Sequence, residues 1–117
     1  MGDYKIPAGA TAAEITARRF GGPTQIVETL VTVDTTAIKL IGNNPRRVAW
    51  TASNRGSSDC AVSFAQDVTT GNGFILAASG GTIESYVDED GETVSAALYA
   101  VSGSAGQTVR IVETVRV

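Results

Sequence analysis

The most constraining feature of this chain is an alternation of apolar and polar residues on either side of a short turn. Val48, Trp50 and Ala52 fall on one side of an extended backbone, and Arg47, Thr51 and Ser53 on the other. Cys60, Val62 and Phe64 repeat the pattern after Arg55-Gly56-Ser57-Ser58. A repeat of two is the mark of strands with one buried face. The expectation is a central hairpin with Trp50 and Phe64 as its largest core pieces.

The same pattern continues from Gln25 onward. Ile26 to Val33 is rich in β-branched residues, Ala37 to Ile41 gives a short run, and Arg46 to Asn54 carries Trp50. Cys60 to Ala65, Phe74 to Ala77, Thr82 to Val87, Thr93 to Val101 and Gln107 to Val117 follow. Turn chemistry separates them: Gly42-Asn43-Asn44-Pro45, Thr70-Gly71-Asn72-Gly73, Ser79-Gly80-Gly81 and Ser102 to Gly106. Asp90-Gly91 is a favoured pair for a tight hairpin. Seven or eight short strands at a spacing of roughly 8–12 residues predict an all-β fold, an antiparallel β-sandwich of jelly-roll or Ig-like type. In the last run Val109 and Ile111 point inward, and Glu113 shares their register. A charge there needs a partner, a bulge or an interface.

At 117 residues the chain is one domain in size, able to bury about two-thirds of its unfolded surface without disulfides. Residues 25–117 are the sandwich, and residues 1–24 an arm. The arm is broken by Pro7, Gly9, Gly21, Gly22 and Pro23, and is either extended or briefly helical. Thr11-Ala12-Ala13-Glu14 fits a capping box, so a helix from Ala12 to about Arg19 follows. So short a helix is marginal alone and is expected to order against a partner chain or the outside of its own sandwich.

Chemistry is sparse. Histidine is absent, which removes the commonest general base and metal ligand. Cys60 is the only cysteine; it falls on the apolar side and is expected to be an inert core residue. Asp88-Glu89-Asp90-Gly91-Glu92 lacks the spacing of a calcium loop. The glycine-rich stretches lack the following helix and lysine of a phosphate loop, and Gly103-Ser104-Ala105-Gly106 has no downstream histidine for a triad. The reading is therefore no enzyme, no cofactor and no metal. No basic cluster with interleaved aromatics suggests nucleic acid. No apolar run of about 18 residues suggests a membrane span, and no secretory signal is evident, so synthesis and assembly in a reducing cytoplasm is expected. The net charge is −3. Arg46, Arg47 and Arg55 flank the Trp50 strand, while Glu84 and Asp88 to Glu92 form an acidic run; separate basic and acidic ends would suit self-association.

Several of these motifs together resemble a broad group of small tailed-bacteriophage virion proteins. They are Asn44-Pro45-Arg46-Arg47, Asn54-Arg55-Gly56, Phe64, Gly71-Asn72-Gly73, Leu76 with Gly80-Gly81, Tyr99-Ala100-Val101-Ser102 and Val109-Arg110-Ile111-Val112-Glu113. They span residues 44–113; residues 1–24 carry no match. The resemblance implies a non-enzymatic virion component. The expected role is capsid decoration or cement on the head exterior, as a homo-oligomer, a trimer, bound to the major capsid protein. The alternatives are a tail, baseplate or fibre component, or a module holding a host glycan through Tyr86 or Tyr99 and the Gln66–Gly73 loop. Candidate partner-binding residues are Tyr4, Ile6, Ile15, Arg18, Arg19 and Phe20 in the arm, with Arg46 and Arg47.

Overall fold

The computed structural model describes Thr11, Ala12, Glu14 and residues 20–117. Tyr4, Ile6, Ile15, Arg18 and Arg19 lie outside the described residues. The capping box at Thr11 is present in altered form. The Glu14 amide donates to Thr11 Oγ1 at 3.2 Å, and the Thr11 hydroxyl, not its amide, meets Glu14 Oε1 at 3.2 Å.

Eight strands follow: β1 (Thr24–Val33), β2 (Ile38–Ile41), β3 (Arg47–Asn54), β4 (Cys60–Ser63), β5 (Phe74–Leu76), β6 (Thr82–Tyr86), β7 (Leu98–Ser102) and β8 (Gln107–Arg116). They form two antiparallel four-stranded sheets, in the orders β1-β8-β3-β6 and β2-β7-β4-β5. The strands nest as β1 with β8, β2 with β7, β3 with β6 and β4 with β5. This is the jelly-roll arrangement of an all-β sandwich, not the immunoglobulin one.

Every connection but β4–β5 crosses between sheets. The Trp50 and Cys60 strands therefore do not form a hairpin: β3 and β4 lie in opposite layers. The crossing is fastened by Asn54, whose buried amide donates to the carbonyls of Ser58 at 2.9 Å and Leu76 at 3.0 Å and accepts from Gly56 N–H at 2.8 Å. A fully satisfied buried amide fixes one chain path, because any other path leaves it unpaired. Asp90-Gly91 likewise makes no hairpin. A helical turn, α1 (Val87–Asp90), and a 3₁₀ turn (Gly91–Ser95) carry the chain from β6 to β7 in the other sheet. Two packed sheets stand about 10 Å apart, too far for a two-residue turn. Val94 is buried on the way, and Asp90 Oδ2 accepts from the Ser85 hydroxyl at 2.6 Å and the Tyr86 amide at 3.1 Å.

The core between the sheets gathers Val33, Leu40, Trp50, Ala52, Cys60, Val62, Leu76, Val94, Leu98, Ala100, Val109 and Ile111. Full burial of each large aliphatic side chain contributes about 1.5–3 kcal/mol. A second cluster of Ala61, Val68 and Val101, with Ala37 and Tyr99 against it, covers the outside of the β2-β7-β4-β5 sheet. Phe64 is not a core residue. It lies one position past the end of β4 and is 49 % exposed.

Candidate functional site

Three features of the surface and its margins bear on function. The first is the end of the sandwich closed by Arg47. The β3–β8 register shifts between Arg47 and Ala49, so Val48 is an extra residue in β3. Such a bulge resets the alternation. Arg47 and Trp50, three apart, both turn inward and are 3 % and 6 % exposed. Arg47 Nε donates to Glu113 Oε1 at 2.7 Å. Its Nη1 donates to the carbonyls of Val94 at 3.2 Å and Ala96 at 3.3 Å, and its Nη2 to that of Gly42. A guanidinium so engaged is a structural bolt, so Arg47 is withdrawn from the set of partner-binding residues. Arg46 next to it is exposed. The Asn44-Pro45 turn sets both: Asn44 Oδ1 accepts from Arg46 N–H at 3.0 Å, and Asn44 O from Arg47 N–H at 3.0 Å.

The antiparallel register also corrects the expected charge separation. Ala49 pairs with Tyr86 and Ser53 with Thr82, so the acidic stretch after β6 lies at the Arg46–Arg47 end of β3. Of Arg46, Arg47 and Arg55, the last alone stands at the far end, beside Arg110.

The second feature is the cleft where the edge strands of the two sheets, β5 and β6, face one another. Its volume is about 450 Å³, within the range of ligand pockets. Trp50, Ile83, Ser85 and Leu98 line it together with Phe64, Phe74, Ile75, Asp90 and Thr93; Glu84 borders it but pairs with Thr51 and accepts from Tyr86 on the outer face of β6. Phe74 is 64 % exposed and Ile75 57 %. Trp50 Nε1 is the single buried side-chain polar atom without a hydrogen-bond partner among the described residues. The phenol of Tyr86 donates to Glu84 Oε2 at 2.9 Å; that bond and the Glu84 charge push the phenol's pKa upward.

The third feature is the free edge of β1. Among the described residues, β1 pairs over its ten residues only with β8, and its other side is open. Ile26 is 70 % exposed and Leu30 65 %. Glu28 is the one charged residue of the strand, and it is paired with Arg110.

Of the other sequence candidates, Phe20 is half-buried and lines a shallow depression with Val48, Ala49, Tyr86, Val87 and Thr114. Tyr99 packs half-buried near Val68 of the 64–73 loop, whereas Tyr86 lies on the opposite sheet, so the two tyrosines do not share a site. Cys60 is fully buried, and burial pushes its thiol pKa up; a bond with Ser102 acts against this, and Asp59 adds to it. Among the described residues no group of three or more His, Cys, Asp or Glu is placed to hold a metal. The cleft was missed from sequence because two of its walls come from different sheets. Its one local signal is the run Phe74-Ile75-Leu76, three large apolar residues in a row with no alternation.

No family model matches the chain, and no curated protein matches it. Among solved structures it is similar to a chain from Bacillus endospore appendages, described as "a novel family of disulfide-linked pili". The two share 13 % identity, over 96 % of this chain and 99 % of that one, with a TM-score of 0.44.

Proposed function

We propose that this chain is a non-enzymatic structural component of a phage particle, a capsid decoration protein that binds the head exterior as an oligomer. The particle is inferred from the motif resemblance across residues 44–113. The associating character rests on one structural observation, the edge of β1 that no described residue covers. Natural sheets blunt their edges with charge, proline, bulges or short strands. β1 is ten residues long, lacks proline, pairs without a register shift, and has its one charge already engaged by Arg110. With Ile26 and Leu30 exposed beside it, this edge suits the addition of a strand from another subunit. Copies held in a ring would each need only a modest contact with the major capsid protein, since many weak contacts add in avidity.

Imaging of intact particles of the virus that carries the gene tests this reading. Head-bound density fitting the jelly roll is the expected result, and particles without residues 1–24 of the protein should lose that density while the purified sandwich stays folded. Density on the tail instead would move the protein to the tail-component reading. Absence from the particle would overturn both.

A further inference from the structure

We infer that β1 of a second copy of this chain adds antiparallel to β6 and closes the cleft between β5 and β6. The inference rests on the self-association proposed above, and names both halves of the subunit contact. Four observations carry it. First, β1 and β6 are the two outer strands of one sheet, and neither has a second partner among the described residues. Neighbours in that sheet are antiparallel throughout, so β1 of a copy set beside β6 in the same orientation continues the alternation. Second, exposed apolar side chains gather at these two margins. Ile26, Val27 and Leu30 stand on β1, and Phe64, Phe74 and Ile75 at the mouth of the cleft beside β6. Third, each margin has an inner face that no described residue covers. Val27 and Thr29 share the inward parity of Val31 and Val33 yet are exposed; β2, which backs β1 in the other sheet, is only four residues long. At the other margin Trp50, Ile83 and Leu98 lie behind an open mouth. A sheet keeps its faces across such a contact, so the strand laid along β6 turns Val27 and Thr29 toward that mouth. Fourth, the charges match. Arg116, exposed next to the β1 margin, and Asp88 and Glu89, exposed directly after β6, stand at the same end of the sheet. A copy in the same orientation brings that cation toward those acids. The two acids nearest the contact, Glu28 and Glu84, are already engaged, by Arg110 and by Tyr86.

A two-fold pairing of β1 with β1 of a second copy fits less well. It uses the open edge but leaves Phe64, Phe74 and Ile75 against water, and it stops at a pair. A contact between unlike margins repeats from copy to copy and closes into a ring or runs on as a filament.

Complementation of two full-length variants tests the contact. Ile26→Lys with Leu30→Lys blocks β1 and leaves the cleft; Phe74→Lys with Ile75→Lys blocks the cleft and leaves β1. All four side chains are more than half exposed, so both proteins are expected to fold, and circular dichroism checks this. Phe64→Lys, past the end of β4, is a second cleft variant that alters no strand. By light scattering each variant alone should fall to the monomer mass. An equimolar mixture of a β1 variant and a cleft variant should give twice that mass and no more, since one intact cleft meets one intact strand. The mixture is measured above the concentration at which the native chain assembles, because a single contact lacks the avidity of a ring. Cleft variants that keep the native mass, or a mixture that stays monomeric, overturn the inference and leave self-association through β1 standing. A native chain that is monomeric at every concentration overturns both. Neither result touches the particle assignment, which imaging decides.

Discussion

Arg47 and Glu113 form an ion pair at 2.7 Å inside one end of the sandwich, their side chains 2 % and 14 % exposed. Arg47 does more than Glu113, since it also serves the carbonyls of Gly42, Val94 and Ala96. Removing one member of a buried pair costs about 3–5 kcal/mol, because the other is stranded. The two members should therefore differ. Arg47→Met strands a carboxylate and three carbonyls and is expected at the upper end, about 5 kcal/mol. Glu113→Gln keeps an acceptor and leaves the guanidinium its carbonyls, so about 1–3 kcal/mol is expected. Urea unfolding of both variants measures the order; a milder Arg47→Met would show that the carbonyl bonds contribute nothing.

Two glycines of the same composition should respond in opposite ways. A Cβ on Gly81 would meet Ala77 O at 2.3 Å and Ala77 N at 2.6 Å, and backbone atoms cannot swing aside. Gly81 N–H also donates to Ala77 O at 3.0 Å, so the turn before β6 is held tight. Gly81→Ala is expected to destabilise by about 1–3 kcal/mol through overpacking. A Cβ on Gly103 meets nothing within 4 Å, and that residue's φ is not left-handed. Gly103→Ala is expected to be neutral or to stabilise by up to about 1 kcal/mol by restricting the unfolded chain. Thermal unfolding of the pair checks this; equal effects would mean the Ala77–Gly81 turn yields.

Period-two alternation made the inward faces of Trp50, Ala52, Cys60, Val62, Val109 and Ile111 legible, and with them the sandwich. It also marked Glu113 as a charge in need of a partner. It placed Arg47 wrongly because one bulged residue, Val48, reverses every assignment before it, and nothing in the composition of a bulge announces it. Hairpins were expected at Arg55–Ser58 and Asp90–Gly91 because turn chemistry looks alike whether the next strand pairs with the last or crosses to another layer. Only the nesting of distant strands, such as β1 with β8, distinguishes the two. Phe64 kept the right parity but lay beyond the end of β4, where pairing stops and no facing strand covers it. The cleft was hidden for the same reason: β5 and β6 meet across the gap between sheets, a relation with no local trace.

Cys60 should be slow to react and should set part of the alkaline limit of stability. It is fully buried, and burial holds its thiol pKa above the ordinary value of 9.0. A group with a raised folded pKa contributes stability that is complete below the unfolded pKa. That contribution is lost as pH rises through the folded value, because the unfolded chain gives up its proton first. The unfolding midpoint of the native chain should therefore fall above about pH 9 more steeply than that of Cys60→Ala. Labelling by a thiol reagent near neutral pH should be limited to the small opened fraction and so be far slower than in an unfolded control. Labelling as fast as in that control would show that the thiol is accessible from the folded state.

The open edge of β1 gives the most direct test of association. Ile26 and Leu30 project from the outer face of the sheet, on the side where β8 presents Thr114 and Arg110. Neither contributes to the core, so Ile26→Lys and Leu30→Lys together should leave stability within about 0.5 kcal/mol of the native chain. Two lysines along an edge add desolvation and repulsion against an incoming strand. The expected outcome is a folded protein whose mass by light scattering falls toward the monomer at concentrations where the native chain is oligomeric. Native mass with both lysines present would place the subunit contact elsewhere on the jelly roll. Monomeric mass for the native chain at every concentration would remove the edge as a reason for association.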